Sequence, residues 1–307
     1  IGDSTNQSKQ KKSGMVQMMS AVFPGYSEYN ALFTLYNATD GDNWYNNYGW
    51  VDADPFTPED VTVWTPPVTT DGNGNITGIS LAHNNLTGQI PTQISTFSSL
   101  ENLFLDGNNL TGSIPSSMGS LTSLINLDLS ENDFTGTLPS SFSSLTNLLY
   151  LRIYDNELQG PIPFGPPSAS FNLDASLNRF TFTDLLPFKN NFLSSASYSG
   201  QDLVDVAKNI NKLAGQSHVF TTNIDRDTSP KSEYQWFKNG VALNSRDTAS
   251  HTLNLSGLSS GDAGDYYYKI WNSDLPGLEL TSRIQTLNMT QTGGDWKCLE
   301  REVLDPS

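Results

Sequence analysis

The chain has 307 residues, enough for about two domains, and carries 32 acidic against 16 basic side chains, a formal net charge of −16. That sign excludes a nucleic-acid backbone as a partner. Hydrophobic residues make up 36% and charged ones 16%, so Ser, Thr, Asn and Gly must form much of the surface, the look of an extracellular binding protein.

A single cysteine, Cys298, rules out an internal disulfide, and His83, His218 and His251 leave little for a zinc site. No cofactor is expected. No stretch approaches the roughly 20 apolar residues of a membrane span, so no membrane span is expected. The opening IGDSTNQSKQKKSG lacks the apolar run of a secretory signal, which was either removed or never present. Seven Asn-x-Ser/Thr sequons, at Asn6, Asn37, Asn75, Asn85, Asn109, Asn254 and Asn288, are what an Asn- and Thr-rich chain produces by chance.

In chain order, residues 1–20 read as a flexible N-terminal tail whose Lys9, Lys11 and Lys12 are a solvated end. Residues 21–74 read as a cap. A helix is predicted from about Glu28 to Asn37, followed by an aromatic turn containing Trp44 and Trp50, then Trp64 and the turn DGNGNITG from Asp71 to Gly78. Two loops, Asp40–Asn43 and Asp71–Asn75, have the oxygen spacing for weak calcium binding, although Asp-Gly and Asn-Gly pairs also make ordinary turns.

Residues 75–199 hold a repeat: HNNLTGQIP from His83, GNNLTGSIP from Gly107, ENDFTGTLP from Glu131 and DNELQGPIP from Asp155. Asn84, Asn108, Asn132 and Asn156 recur every 24 residues, and Asn178 follows after 22. Five and three residues before each stand two apolar positions: Ile79 and Leu81, Leu103 and Leu105, Leu127 and Leu129, Leu151 and Ile153, Leu173 and Ala175. The pattern L-x-L-x-x-N predicts a solenoid in which each coil gives one short strand to a shared sheet. Leu86, Leu110, Phe134, Leu158 and Phe180 should extend the same core, and Phe182, Leu185, Leu186 and Phe188 should close its C-terminal end.

L-T-G-x-I-P resembles the plant-type subclass of leucine-rich repeats, found in receptor ectodomains, polygalacturonase-inhibiting proteins and bacterial surface proteins. The resemblance implies a second short strand per coil, with Gly88, Gly112, Gly136 and Gly160 supplying backbone freedom and Pro91, Pro115, Pro139 and Pro163 ending it. The cap region resembles that of bacterial members, since the cysteine pair usual in plant caps is missing. The fold class is thus an α/β leucine-rich-repeat solenoid, a short right-handed horseshoe with an N-terminal helical cap, followed by a second domain.

The concave strands expose the residues that alternate with the buried ones. One column reads Ser80, Phe104, Asp128, Arg152, Asp174; its neighbours read Gly78, Asn102, Asn126, Tyr150, Asn172 and Ala82, Asp106, Ser130, Tyr154, Ser176. Aromatics beside carboxylates and amides suit sugars, and five strands at about 4.8 Å give a sheet about 20 Å across, enough for a short oligosaccharide or a peptide segment. The expected ligand-binding residues are therefore Phe104, Asp106, Asp128, Tyr150, Arg152, Tyr154 and Asp174, although the charged ones also read as a solubilising surface ladder. Asp128 and Asp174 lie two strands apart, about 10 Å, but Arg152 between them would keep both ionised. With no G-x-S-x-G, phosphate loop or H-E-x-x-H, the chain reads as a non-enzyme.

A polar run at Ser194–Gln201 marks a boundary, and residues 200–290 read as a second domain. Strands are predicted at HVFTTNI from His218, EYQWFK from Glu233, HTLNLSG from His251 and DYYYKIWN from Asp265, with Asn239-Gly240 turning a hairpin. DAGDYYY, Asp262–Tyr268, resembles the immunoglobulin-fold motif D-x-G-x-Y-x-C. The resemblance implies an all-β immunoglobulin-like sandwich with Tyr266 as corner tyrosine, Trp236 buried on the third strand, and Tyr268 and a residue near Thr222 in place of the disulfide. Tyr267 and Trp271 should face outward. Residues 291–307 read as a C-terminal tail.

The functional expectation is an extracellular or cell-surface recognition or adhesion protein that binds a protein or glycan ligand on the concave face. The alternatives are a structural spacer within a larger surface protein and an inhibitor of a secreted polysaccharide-degrading enzyme.

Overall fold

The computed structural model describes residues 26–47, 68–165, 168, 170–192, 195–222 and 232–290. The tails expected at 1–20 and 291–307, Trp50 and Trp64 lie outside them. The chain divides into two units, Ile1–Asp202 with Ser273–Glu279, and Leu203–Asn272 with Leu280–Ser307.

The first unit begins with helix α1 (Tyr26–Ala38), slightly longer at both ends than expected. Ala31, Leu32, Leu35 and Tyr36 fall on one face by their spacing and are buried. Glu28 accepts the N–H of Ile76 (3.0 Å), tying the helix to the first coil, and burial raises its carboxyl above the usual range against that hydrogen bond. At the helix end, the carbonyl of Thr39 accepts from both Trp44 Nε1 (2.8 Å) and Thr87 N (3.1 Å). Trp44 is buried edge-on against Tyr36, ring centroids 5.2 Å apart.

Ten strands follow: β1 (Val68–Thr70), β2 (Ile76–Ser80), β3 (Thr87–Gly88), β4 (Asn102–Phe104), β5 (Asn109–Gly112), β6 (Asn126–Asp128), β7 (Asp133–Gly136), β8 (Tyr150–Arg152), β9 (Glu157–Leu158) and β10 (Asn172–Asp174). The main sheet runs β1-β2-β4-β6-β8-β10, antiparallel at β1–β2 and parallel thereafter. A narrower parallel sheet, β3-β5-β7-β9, sits on the next stretch of each coil. The β1–β2 turn is held by Asp71, whose carboxylate accepts the N–H groups of Asn73 (2.8 Å) and Asn75 (2.9 Å).

Every expected apolar pair from Ile79 and Leu81 to Leu173 and Ala175 is buried, as are Leu86, Leu110, Phe134, Leu158 and Phe180. Each buried Leu, Ile or Phe among them contributes about 1.5–3 kcal/mol. The asparagines make that burial tolerable for the backbone. Asn132 Nδ2 donates to the carbonyls of Leu105 (3.0 Å), Leu129 (3.2 Å) and Ser130 (2.9 Å), while its Oδ1 accepts from Leu110 N (3.0 Å). Asn108, Asn156 and Asn178 repeat the arrangement, so each side chain stitches its own turn to the preceding coil. Gln201 ends the series: its Oε1 accepts from Phe180 N (2.8 Å) and its Nε2 donates to Ala175 O (2.9 Å). The coil-type bonding thus reaches two residues past the boundary expected after 199.

The glycines behave as expected, with φ of +95°, +78°, +83° and +76° at Gly88, Gly112, Gly136 and Gly160. The prolines do not end the strands. Pro91, Pro115 and Pro139 stand three residues beyond them, immediately before the 3₁₀ turns Thr92–Thr96, Ser116–Ser120 and Ser140–Ser144 on the opposite side of each coil. Their fixed φ starts a tight turn there.

The second unit contains β11 (Lys208–Leu213), β12 (His218–Thr221), β13 (Ser232–Lys238), β14 (Val241–Ala242), β15 (Thr252–Leu255), β16 (Gly264–Asn272), β17 (Glu279–Thr281) and β18 (Gln285–Thr290). One sheet runs β11-β18-β16-β13-β14, with β17 also on β16, and β12–β15 form a second. β11, β17 and β18 were not legible: KNINKL is polar, and none of the three alternates cleanly. Asn239 (φ +49°) and Gly240 (φ +81°) turn the β13–β14 hairpin, as expected. Between the sheets lies a ring cluster. Phe220 of β12 stacks on Tyr266 (4.5 Å), and Trp236, fully buried, packs on Tyr268 (5.1 Å). Tyr266 Oη donates to Asp262 O (2.7 Å) and Trp236 Nε1 to Ser250 O (2.8 Å), so both rings are satisfied where they are polar. Tyr267 and Trp271 are half-exposed, Tyr267 stacked on Phe237 (4.9 Å) and Trp271 under Arg246 (4.4 Å).

Candidate recognition surface

Parallel register aligns the expected column. Ser80 pairs with Phe104, Phe104 with Asp128, Asp128 with Arg152 and Arg152 with Asp174. The second column, Gly78, Asn102, Asn126, Tyr150 and Asn172, is equally in register. Beyond the strand ends the ladder continues through backbone bonds such as Gly107 N to Ser130 O (3.0 Å) and Glu131 N to Tyr154 O (2.9 Å), which places Asp106, Ser130 and Tyr154 in the third.

The side chains do not all stand open. Asp128, expected on the exposed face, is only 8% exposed. Its Oδ1 accepts the N–H and hydroxyl of Ser130, and Arg152 Nη1 lies 3.4 Å from its Oδ2. Asp174 repeats the motif with Ser176, accepting the hydroxyl at 2.8 Å. The Asp-x-Ser spacing in both strands was the available signal: a carboxylate two residues before a serine can bond its own backbone. Asp128 thus braces Arg152 and is withdrawn from the surface.

What remains open is Tyr150, 38% exposed, and Arg152, whose side chain is 41% exposed and whose guanidinium sits 5.8 Å over the Tyr150 ring. Phe104, two strands away, is half-buried. In the second column Asn126 Nδ2 donates to Asn102 Oδ1 (2.6 Å).

A second group lies along the third column. His83 Nε2 is 3.6 Å from Asp106, and Tyr154 donates to Glu131 (2.7 Å). Burial raises the Asp106 carboxyl above its usual range, helped by the Asp128 charge. The bond to Glu131, then burial, raises the Tyr154 hydroxyl. His83 and Glu131 were not foreseen. Both precede a coil asparagine and adopt a left-handed φ, +51° and +53°, as do Asp155 and Leu177.

The carboxylates of the two candidate calcium loops serve local turns: Asp71 as above, Asp40 with Asn43 Nδ2 (2.9 Å) and Asp42 with Tyr36 Oη (2.7 Å). Burial first, and then Asp42, pushes the Tyr36 hydroxyl up to about 12. Among the described residues no group of three or more His, Cys, Asp or Glu is placed to hold a metal, and no helix is long and apolar enough to cross a membrane.

Residues 99–121 and 123–145 match the leucine-rich-repeat family model. The central coils are leucine-rich repeats. No curated protein matches the chain. Among solved structures it is similar to the BIR2 ectodomain from Arabidopsis thaliana, at 24% identity over 56% of this chain and 90% of that one, TM-score 0.47. It is also similar to the BIR3–SERK2 complex from the same plant, at 25% identity over 56% and 92%, TM-score 0.41. The leucine-rich-repeat ectodomain of the receptor kinase SOBIR1, again from Arabidopsis thaliana, is 27% identical over 50% and 81%, TM-score 0.39.

Proposed function

We propose that the chain is a non-catalytic extracellular recognition protein that binds a polypeptide on the concave sheet of its leucine-rich repeats. The observation that carries this reading is the open pair Tyr150 and Arg152 with half-buried Phe104 two strands away, presented on strands in register, Arg152 held by Asp128. Tyr and Arg concentrate binding energy when a partner desolvates them. A polypeptide is favoured over a glycan because Arg152 already covers one face of Tyr150 and Tyr154 spends its hydroxyl on Glu131. A pyranose needs an uncovered ring face.

We also read α1 with Trp44 as the N-terminal helical cap, on the strength of its bonds to Ile76 and Thr87. The second unit is read as an immunoglobulin-like domain acting as spacer or second contact; the Tyr266–Asp262 bond and the buried Trp236 on Tyr268 support that. The missing cap cysteines favour a bacterial surface protein with an adhesive role. Asp128 and Asp174, each bonded to its own serine, are read as structural carboxylates, which supports the non-enzyme reading.

The test is a displayed random-peptide selection on the purified chain, followed by affinity measurement on Phe104→Ala/Tyr150→Ala/Arg152→Ala. Binding should fall at least about 100-fold with an unchanged melting temperature, since three central contacts are lost. Enrichment of no peptide, beside a hit on a glycan array that the same variant removes, would replace the polypeptide by a carbohydrate. Silence in both would leave the spacer role.

A further inference from the structure

A sheet edge open to solvent needs a device that keeps other chains off it: a charge, a proline, a bulge or shortness. The larger sheet of the second unit has one at each end. β11 carries Lys208 and Lys212, and β14 is two residues long. The two-stranded sheet differs. β15 pairs with β12 in unbroken register, and the 14 residues from Thr248 to Gly261 contain no Asp, Glu, Lys, Arg or Pro.

The phase of the hydrogen bonds fixes which groups of β15 are open. β12 and β15 pair antiparallel, Phe220 with Leu253 and His218 with Leu255, and Thr222 N donates to His251 O (3.0 Å) in the same register. Antiparallel pairs alternate between exchanging both bonds and exchanging none, so Phe220–Leu253 and His218–Leu255 are the bonded pairs. The N–H and C=O groups of Thr252 and Asn254 therefore point to the opposite edge, where no group among the described residues bonds them.

The side chains mark the same edge. Phe220 is buried, and paired residues share a face, so Leu253 and Leu255 turn inward with it. Both are only half-buried, since no strand lies beyond β15 to cover them.

We propose that β15 is the seat of a homodimer, in which β15 of a second copy adds to it antiparallel about a two-fold axis at Leu253. The edge is self-complementary in one register: Thr252 opposite the partner's Asn254, and Asn254 opposite the partner's Thr252, use both donors and both acceptors of each copy. Leu253 then faces the partner's Leu253 as a pair without mutual hydrogen bonds, Cα atoms about 4.5 Å apart, and each covers the other's open flank. A second copy is favoured as the occupant because the stretch offers no charge for a foreign partner to read, while residues 203–272 balance seven acidic against seven basic side chains, so two such units meet without repulsion. A strand of four residues covers far less than the about 800 Å² per partner of a standard interface, so the dimer is weak and forms only at high concentration.

The experiment is sedimentation equilibrium of the intact chain up to about 1 mM at 0.15 M salt, which screens the acidic first units beyond about 8 Å. Association toward a dimer is expected, and Asn254→Pro should weaken it at least about tenfold: proline removes the outward N–H, takes no bond from the β12–β15 pair and should leave the melting temperature nearly unchanged. A second variant does not depend on how proline is tolerated. In a Cys298→Ser background, Leu253→Cys should oxidise to a disulfide-linked dimer, since the paired Cα atoms fall within disulfide reach, and Val219→Cys, exposed on the outer face of β12, should not. A chain that stays monomeric throughout, association that Asn254→Pro leaves intact, or equal crosslinking at both cysteines would overturn the dimer.

Discussion

The two units solve the same problem, burying backbone and side chain together, by opposite means. In the solenoid each coil needs only its neighbours: aliphatic pairs fill the interior, and one asparagine per turn satisfies the backbone that the coil cannot pair with itself. In the second unit the core is a few large rings, Phe220, Trp236, Tyr266 and Tyr268, gathered from strands far apart in sequence. Their charges differ as well. Between residues 26 and 202 stand 18 acidic and three basic side chains, while residues 203–272 hold seven of each. A repetitive core spreads its stability over many equal contributions; a ring cluster concentrates it.

The sharpest way to break that contrast is Trp236→Ala, which should cost about 3–5 kcal/mol and unfold the second unit at lower denaturant. Tryptophan fluorescence and far-ultraviolet circular dichroism, followed in urea, should then separate into two transitions. Asn132→Ala should cost about 3 kcal/mol, because Leu110 N and three buried carbonyls lose their partner, and it should act on the solenoid transition alone. Equal and small effects at both positions would dissolve the distinction.

How much was legible follows the same division. A period of 24 residues announces itself, so the coils, their buried pairs and their asparagines could be placed residue by residue. In the second unit the alternating strands β12, β13, β15 and β16 stood out; polar β11 and short β17 are strands because of what they pair with. The concave columns were legible because register follows from the repeat. What the sequence could not show was which side chains bond one another. Asp128 turned inward to Ser130 and Arg152, and only Tyr150 and Arg152 were left as the open part of the patch.

Smaller effects sharpen the picture. Tyr266→Phe removes the bond to Asp262 O and should cost about 1 kcal/mol, seen as a lower melting temperature of the second unit only. Acid should act with opposite sign at Asp106 of the first unit and at Asp262 and Asp247 of the second. Hydrogen bonds from Ser259 hold the Asp262 carboxyl below its usual range, and those from Ser250 do so for Asp247. Their contribution is present above the unfolded value near pH 4 and is lost as pH falls through the lower folded values, so the second unit weakens below about pH 4. Burial raises Asp106, so protonating it favours the folded solenoid as pH falls through that raised value. Asp106→Asn should accordingly raise the melting temperature of the solenoid at neutral pH, and the gain should vanish in acid.

On the proposed function, recognition resides on the concave sheet and not on the outward rings of the second unit. The direct measurement is the affinity of one selected peptide for two variants, Tyr150→Ala/Arg152→Ala in the solenoid and Tyr267→Ala/Trp271→Ala in the second unit. Binding should be at least about tenfold weaker for the first and unchanged for the second. The reverse order would place the site on the second unit and contradict it.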